Sequence, residues 1–288
     1  MLELPPNDFL QIGIDEAGRG ALAFPVCSAG VVLPSVIPDE IRGNLKDMKL
    51  LEMIKDSKKM TTAQREKCAD FIKRFAIAYS VNYASVAEID ALNIINATHL
   101  SMHRCIKDIT SAENIQSENV RLLVDGDRFR PYYDDHLKKM IPFECVPKGD
   151  SIHMNIAAAS ILAKVGRDNF IIEYCKNNPM IDEKYGFSSH KAYGTKRHLE
   201  ALKEFGPLLQ IHRKTFGPVK TYMTSGQHGN EDDKNGEEGD SATCTVPHVS
   251  EEISRTRNSA TDGNMNENEN EISNFNKFRN FIAFRDDE

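Results

Sequence analysis

The stretch that decides the fold is "QIGIDEAGRGALAFPVCSAGVVL", residues 11–33. Ile12 and Ile14 alternate as on a buried strand, and Asp15 and Glu16 follow at once. Gly18, Arg19 and Gly20 come next, and a second apolar run begins at Pro25. Neighbouring residues on a strand point to opposite faces. One of the two adjacent acids therefore enters a packed face unless the strand breaks there, and a buried, unpartnered carboxylate is costly.

Working outward, apolar runs bounded by Gly, Pro or Asp predict strands at about 11–16, 25–33, 76–84, 120–125 and 142–146. Helical patterns predict helices at about 62–75, 93–109, 151–177 and 195–205, the third with Asp150 or Ser151 as N-cap. Strands followed by alternating helix and strand give an α/β protein: a mixed central sheet flanked by helices, with the remaining helices appended on its C-terminal side.

The 288 residues, 40% of them hydrophobic, are enough for a substantial core, but the composition is uneven. From Tyr222 on, Gly, Asn, Ser, Asp and Glu dominate, so two parts are expected: a folded domain, 1–221, and an acidic, low-complexity, disordered tail, 222–288. The tail holds 15 of the 43 acids and 6 of the 36 bases, which leaves 30 Lys and Arg against 28 Asp and Glu in residues 1–221. The net charge of −7 thus belongs to the tail, and the domain is free to meet a polyanion. Near its end the tail spaces Phe275, Phe278, Phe281 and Phe284 three apart, which reads either as an apolar stripe that, if helical, docks a protein partner or as an occasional hydrophobic cluster in a disordered tail. The six cysteines form no C-x-x-C pair, so packed, reduced thiols are expected rather than a zinc knuckle or redox motif. There is no run of 18 apolar residues and no secretory leader pattern, so a soluble, cytoplasmic protein without a membrane role is expected.

Four acids stand where the local pattern does not require them: Asp15 and Glu16 ending one strand, Asp125 ending another, and Asp150 before the long helix. Taken singly, Asp125-Gly126 reads equally well as a hairpin turn and Asp150 as a helix cap. One arrangement absorbs all four, in which strand ends and a helix start converge and the carboxylates hold divalent cations. Clustered like charges stay ionised only with cations between them. Oxygen ligands with no adjacent Cys or His favour Mg²⁺ or Mn²⁺ over zinc. Two such ions about 3.5–4 Å apart form a clamp for phosphodiester hydrolysis.

The ordered set "GIDEAGRGALAFPV" (13–26), "DSKKMT" (56–61), "EIDALNI" (88–94), "LLVDGDR" (122–128), "KGDSIHMNIAAASILAKVGRD" (148–168), "YGFSSHKAYGT" (185–195) and "IHRKTFGPVK" (211–220) resembles the bacterial type of ribonuclease HII over residues 8–221. The resemblance implies a ribonuclease H-like fold with a C-terminal helical extension. It further implies an endonuclease that cuts the RNA strand of RNA/DNA hybrids and cuts 5′ of single ribonucleotides embedded in duplex DNA, leaving 3′-hydroxyl and 5′-phosphate ends. By position it implies Asp15, Glu16, Asp125 and Asp150 as catalytic ligands of two Mg²⁺ or Mn²⁺, Gly18, Arg19 and Gly20 as a ribose-reading loop, and Tyr193 as a junction-sensing tyrosine. Such an enzyme is expected to act as a monomer on nucleic acid.

The chemistry of these residues agrees with such roles. Glycines beside an arginine let the backbone approach a sugar, whose 2′-hydroxyl distinguishes RNA from DNA, and a tyrosine ring stacks while its hydroxyl reaches. Ser57 and Lys58 of "DSKKMT" are candidate substrate contacts; Lys58, Lys59, Lys191, Lys196, Arg197, Arg213 and Lys214 read by default as solvated surface charge, and beside this site some of them are candidate phosphate contacts. The apolar run "IAAASIL" (156–162) is assigned to the core. The chain departs from the common family form in having Ala21 after Gly-Arg-Gly, Phe24 where glycine is usual, "AYGT" for "GYPT", and a longer interval between Asp125 and Asp150. A ribonuclease HIII-like enzyme is disfavoured because Arg19 stands where that type carries lysine and only about ten residues precede the first strand. The remaining alternative is a catalytically silent hybrid-binding module, disfavoured because all four acids are present.

Overall fold

The computed structural model describes residues 2, 4, 5, 9–54, 60–112, 115, 120–135, 138–225 and 283–284, with only the backbone at 224, 225, 283 and 284. Leu10–Ala17 (β1), Val26–Val32 (β2) and Ala78–Ala84 (β3) form an antiparallel meander, and Val120–Asp125 (β4) pairs in parallel with β1. A two-stranded ribbon, Tyr133–Asp134 (β5) with Lys139–Met140 (β6), then leads to Phe143–Val146 (β7), which pairs in parallel with β4. Ala283–Phe284 (β8) adds a two-residue edge beside β3, giving the order β7-β4-β1-β2-β3-β8.

The five strands expected from the sequence are present, with ends shifted by one or two residues. Of the helices, Asp39–Arg42 (α1), Leu45–Met53 (α2) and Val86–Leu92 (α4) were not foreseen, whereas Thr62–Phe75 (α3) and Ile94–Thr110 (α5) were. Met154–Asn177 (α6) follows a 3-10 turn at Gly149–Ser151, and His153 rather than Asp150 or Ser151 takes the N-cap position. Pro179–Tyr185 (α7), Phe187–His190 (α8), Lys196–Phe205 (α9) and Gly217–Ser225 (α10) complete the C-terminal extension.

Strand alternation sorts the core into two layers. Cys27, Ala29 and Val31 face α3 and α6, while Ile12, Ile14, Val32, Leu122 and Val124 face α5 through Met102, Ile106 and Ile109. Helix α6 is rich in alanine over its first turns and lies close upon β1. A β-carbon on Gly13 would come within 2.3 Å of the Asn155 backbone, so only glycine admits this approach. Four cysteines, Cys27, Cys68, Cys105 and Cys175, are buried free thiols. No helix of the described residues is long and apolar enough to cross a membrane.

Helix α10 carries the chain beyond 221 to Ser225, and Tyr222 and Met223 pack against Leu22, Leu202 and Val219. The expected disorder of 222–288 otherwise concerns residues outside those described, as do Phe275, Phe278 and Phe281; the backbone at Phe284 is strand rather than helix.

Candidate active site

Strand β1 does not break at its acids but runs through both. Gly13 faces α6, so Asp15, two residues on, faces it as well, and the side chain is 5% exposed. The register pairs Gly13 with Leu123 and Ile14 with Val124, which sets Asp125 beside Asp15 at the carboxyl ends of two parallel strands. Asp125 shares the face of Leu123, which packs with Val146 and Ile156 under the start of α6. The turn after β7 closes the group: Gly149 N–H donates to Asp125 Oδ1 at 2.7 Å, and the next residue, Asp150, is buried. Glu16 points to the other side of β1 and is half-buried, and its Oε1 accepts from Arg19 Nη1 at 3.1 Å.

Burial pushes the Asp15 carboxyl well above its ordinary value, and the charges of Glu16 and Asp125 push it further. A hydrogen bond from Ser160 and one of 2.7 Å from the Glu16 N–H oppose the rise. Ser160 lies in the run assigned from sequence to the core alone; that assignment is corrected, since its hydroxyl serves the buried acid. Its signal was a single polar residue inside the apolar run 156–162. Among the described residues, no three His, Cys, Asp or Glu side chains close on a common point tightly enough to hold a metal ion as they stand. One oxygen each of Asp15, Glu16 and Asp125 is engaged by a protein donor. The donor set nevertheless suits a hard divalent cation, being carboxylate oxygens whose mutual repulsion such an ion would relieve.

The loop after β1 is moulded by two fully buried arginines that the sequence reading did not place there. Arg167 of α6 donates to Pro25 O (3.0 Å), Ala23 O (3.1 Å) and Lys191 O (3.0 Å). Arg213 donates to Phe24 O and to Arg19 O, both at 2.9 Å. Arg213 was expected among surface phosphate contacts; it is 0% exposed and its hydrogen bonds go to backbone, because four carbonyls of this turning loop, at Arg19, Ala23, Phe24 and Pro25, need donors that no strand supplies. Gly18 has φ of 93°, while Arg19 and Gly20 stand exposed. Phe24 takes φ of 65°, and edge contacts with Phe170, Tyr174 and Phe187 offset the strain.

Tyr193 meets this loop directly. Its backbone bridges Ala21, and its ring, 36% exposed, lies under Lys164 Nζ at 5.8 Å and Arg167 Cζ at 5.5 Å. The residue before it, Ala192, has φ of 62°, a conformation that glycine adopts at least cost. Lys191 is half-buried and turns its amine to Ser188 O, whereas Lys196, Arg197 and Lys214 remain on the surface. Ser57, Lys58 and Lys59 lie outside the described residues.

A mixed sheet of this order, with buried carboxylates at the carboxyl ends of its central parallel strands, is that of a ribonuclease H-like nuclease. Superposition agrees. The crystal structure of the ribonuclease H2 from Pyrococcus horikoshii OT3 matches with TM-score 0.53 and 23% identity, over 76% of this chain and 100% of that one. Bst-RNase HIII in complex with Mn²⁺ matches with TM-score 0.54 and 18% identity, over 75% of this chain and 70% of that one. The sequence comparisons go further. The family model for ribonuclease HII matches residues 12–218. The ribonuclease HII of Fusobacterium nucleatum is 42% identical, over 71% of this chain and 84% of that protein. That of Francisella tularensis is 39% identical, over 74% and 97%. The chain belongs to the ribonuclease HII family and is a ribonuclease H endonuclease.

Proposed function

We propose that this endonuclease is metal-dependent, hydrolysing the RNA strand of RNA/DNA hybrids and cutting 5′ of ribonucleotides embedded in duplex DNA to leave 3′-hydroxyl and 5′-phosphate ends. The observation that carries the proposal is the pairing of Asp15 with Asp125, two carboxylates on one buried face at adjacent strand ends. Like charges gathered there destabilise the fold unless the site serves charge of the opposite sign.

Asp15, Glu16, Asp125 and Asp150 would hold two Mg²⁺ or Mn²⁺, as the Mn²⁺ complex of the fold neighbour makes reasonable. When bound, such ions lower the pKa of attacking water and neutralise the charge growing on the scissile phosphate. The chain's own residues do the rest. Ser160 and the Glu16 N–H hold the Asp15 carboxylate in place, and Gly149 N–H does the same for Asp125. The exposed backbone of Arg19 and Gly20 is offered to the 2′-hydroxyl, and the Tyr193 ring, joined to that loop at Ala21, supplies a face for the neighbouring sugar or base. Ser57 and Lys58 are proposed phosphate contacts on sequence grounds.

The deciding experiment is cleavage of a duplex bearing one embedded ribonucleotide, with Mg²⁺, with Mn²⁺ and with chelator, mapping the cut. Metal-dependent scission 5′ of the ribonucleotide is expected. Binding without scission under every metal would leave a silent hybrid-binding module instead.

A further inference from the structure

Two histidines outside the acid cluster are completely buried and touch each other. His198 Nε2 and His212 Nε2 lie 3.1 Å apart, and each ring is 0% exposed. Neither belongs to the groups that meet the metals, and neither reaches solvent.

Their tautomers follow from the backbone. Leu208 N–H, which always carries its proton, donates to His212 Nδ1 at 2.9 Å, so that nitrogen is bare and the proton of His212 sits on Nε2. At its other nitrogen His198 faces a carbonyl, Tyr193 O, at 3.0 Å, so Nδ1 carries the proton and Nε2 accepts. The protons are therefore ordered in one direction. Leu208 N–H donates to His212, His212 Nε2–H donates to His198, and His198 Nδ1–H donates to Tyr193 O. Phe187 packs against both rings, with centroids at 5.3 and 5.6 Å, and His190 stacks on His198 at 4.9 Å, which fixes the planes of the imidazoles.

The neighbour of His212 acts on the other half of the same surface. Arg213 donates to Arg19 O and Phe24 O, and the backbone of His212 bridges Ala23. We infer that the His212-Arg213 dipeptide sets the spacing of the ribose-reading surface, fixing Tyr193 through His198 on one side and the Gly-Arg-Gly loop on the other. His198 and His212 are thus positioning residues for specificity. The inference rests on the role proposed above for Tyr193.

The test is a double-mutant cycle on the full chain, measuring cleavage at a single embedded ribonucleotide against cleavage of a long hybrid. His198→Ala removes the donor to Tyr193 O, and losing one buried hydrogen bond should lower single-ribonucleotide cleavage by roughly 10- to 100-fold. The long hybrid should lose less. In the Tyr193→Ala background the same change should cost under about 3-fold, because the residue it acts through is gone. His198→Asn keeps a donor where Nδ1 stood and should recover cleavage to within about 5-fold of the parent, whereas His198→Gln, lacking that donor, should not. The Asn and Gln pair carries the test if the Ala variant fails to melt cooperatively. Equal losses on both substrates, an undiminished loss in the Tyr193→Ala background, or no difference between Asn and Gln would overturn the inference. If Tyr193→Ala itself leaves the ratio of the two substrates unchanged, the role of the tyrosine fails first, and the inference fails with it.

Discussion

A β-carbon added to Gly18 would stand 2.0 Å from Nε of Arg167, a buried guanidinium already committed to three carbonyls. Gly18 also holds φ of 93°, a conformation that L side chains resist. Gly18→Ala is expected to destabilise the fold by about 3 kcal/mol or more, through strain and clash together, and to lower cleavage at least 100-fold. Gly20→Ala meets no protein atom within 4 Å, so its melting temperature should be unchanged and any loss of cleavage would report on substrate contact alone. Calorimetry and cleavage on the two variants check this.

Asp15→Asn should separate stability from activity. The charged form of Asp15 is disfavoured by burial and by Glu16 and Asp125, while an amide can still accept from Ser160 and from the Glu16 N–H. Without divalent metal the variant should be more stable than the parent by roughly 0.5–2 kcal/mol. Cleavage should fall at least 100-fold while duplex binding persists. A less stable variant, or one retaining a tenth of the activity, would contradict the assignment.

Tyr193 should distinguish ring from hydroxyl. Phe keeps the face under Lys164 and Arg167 and should cost under about tenfold at a single ribonucleotide. Ala loses ring and hydroxyl and should cost about 100-fold, with a smaller effect on a long hybrid, where further riboses add contacts. Steady-state rates on both substrates decide it.

The buried histidine pair predicts acid sensitivity. Burial lowers His198 to about 4, and burial together with His198 lowers His212 to about 3. Both are neutral in the fold and titrate near 6.5 when it unfolds, so the unfolded chain binds more protons as pH falls. The stability linked to them is full above about 6.5 and lost progressively down to about 4 for His198 and about 3 for His212, by up to roughly 1.4 kcal/mol per pH unit for each ring. His99, His103 and His190 are displaced in the same direction by burial. The pair is isolated by comparing denaturant midpoints at pH 7 and 5 for the parent and a His198→Asn, His212→Asn double variant, whose slope should be flatter.

Chain length gives a fifth test. Tyr222 and Met223 cover Leu22, Leu202 and Val219, so a chain ending at Ser225 should melt and cleave like the whole protein. One ending at Lys220 severs α10 and should lose about 1–3 kcal/mol. Equal loss in both would mean that the two-residue β8 edge, absent from both chains, holds the fold more than the end of α10 does.

The central sheet was readable because its apolar runs are bounded by breakers, and the four acids because they interrupt those runs. What stayed hidden was held by tertiary contacts. The helix at Val86 was signalled by its Ser85 and Glu88 capping box, but its length of 7 residues gives too little periodicity to register. Arg213 looks like any surface base in sequence. Its burial follows from carbonyls at Arg19 and Phe24 that have no strand partner, and no local pattern announces that. Ser160 was absorbed into an apolar run because the acid it serves is on β1, far away in sequence. Likewise the His198 and His212 pair exists only once α9 and the segment after it fold together.

Helix α6 imposes unequal tolerance to changes of chain length. Between Asp125 and Asp150 the chain passes through the β5–β6 ribbon, and the register of β7 on β4 then restores its position, so residues can be gained there without displacing an acid. Between Ser160, which serves Asp15, and Arg167, which shapes the loop beside Tyr193, there is only continuous helix. One inserted residue would turn everything beyond it by about 100° and advance it about 1.5 Å, carrying the guanidinium away from Ala23, Pro25 and Lys191. Insertions and deletions accumulated by descent should therefore gather in the first interval and be purged from the second.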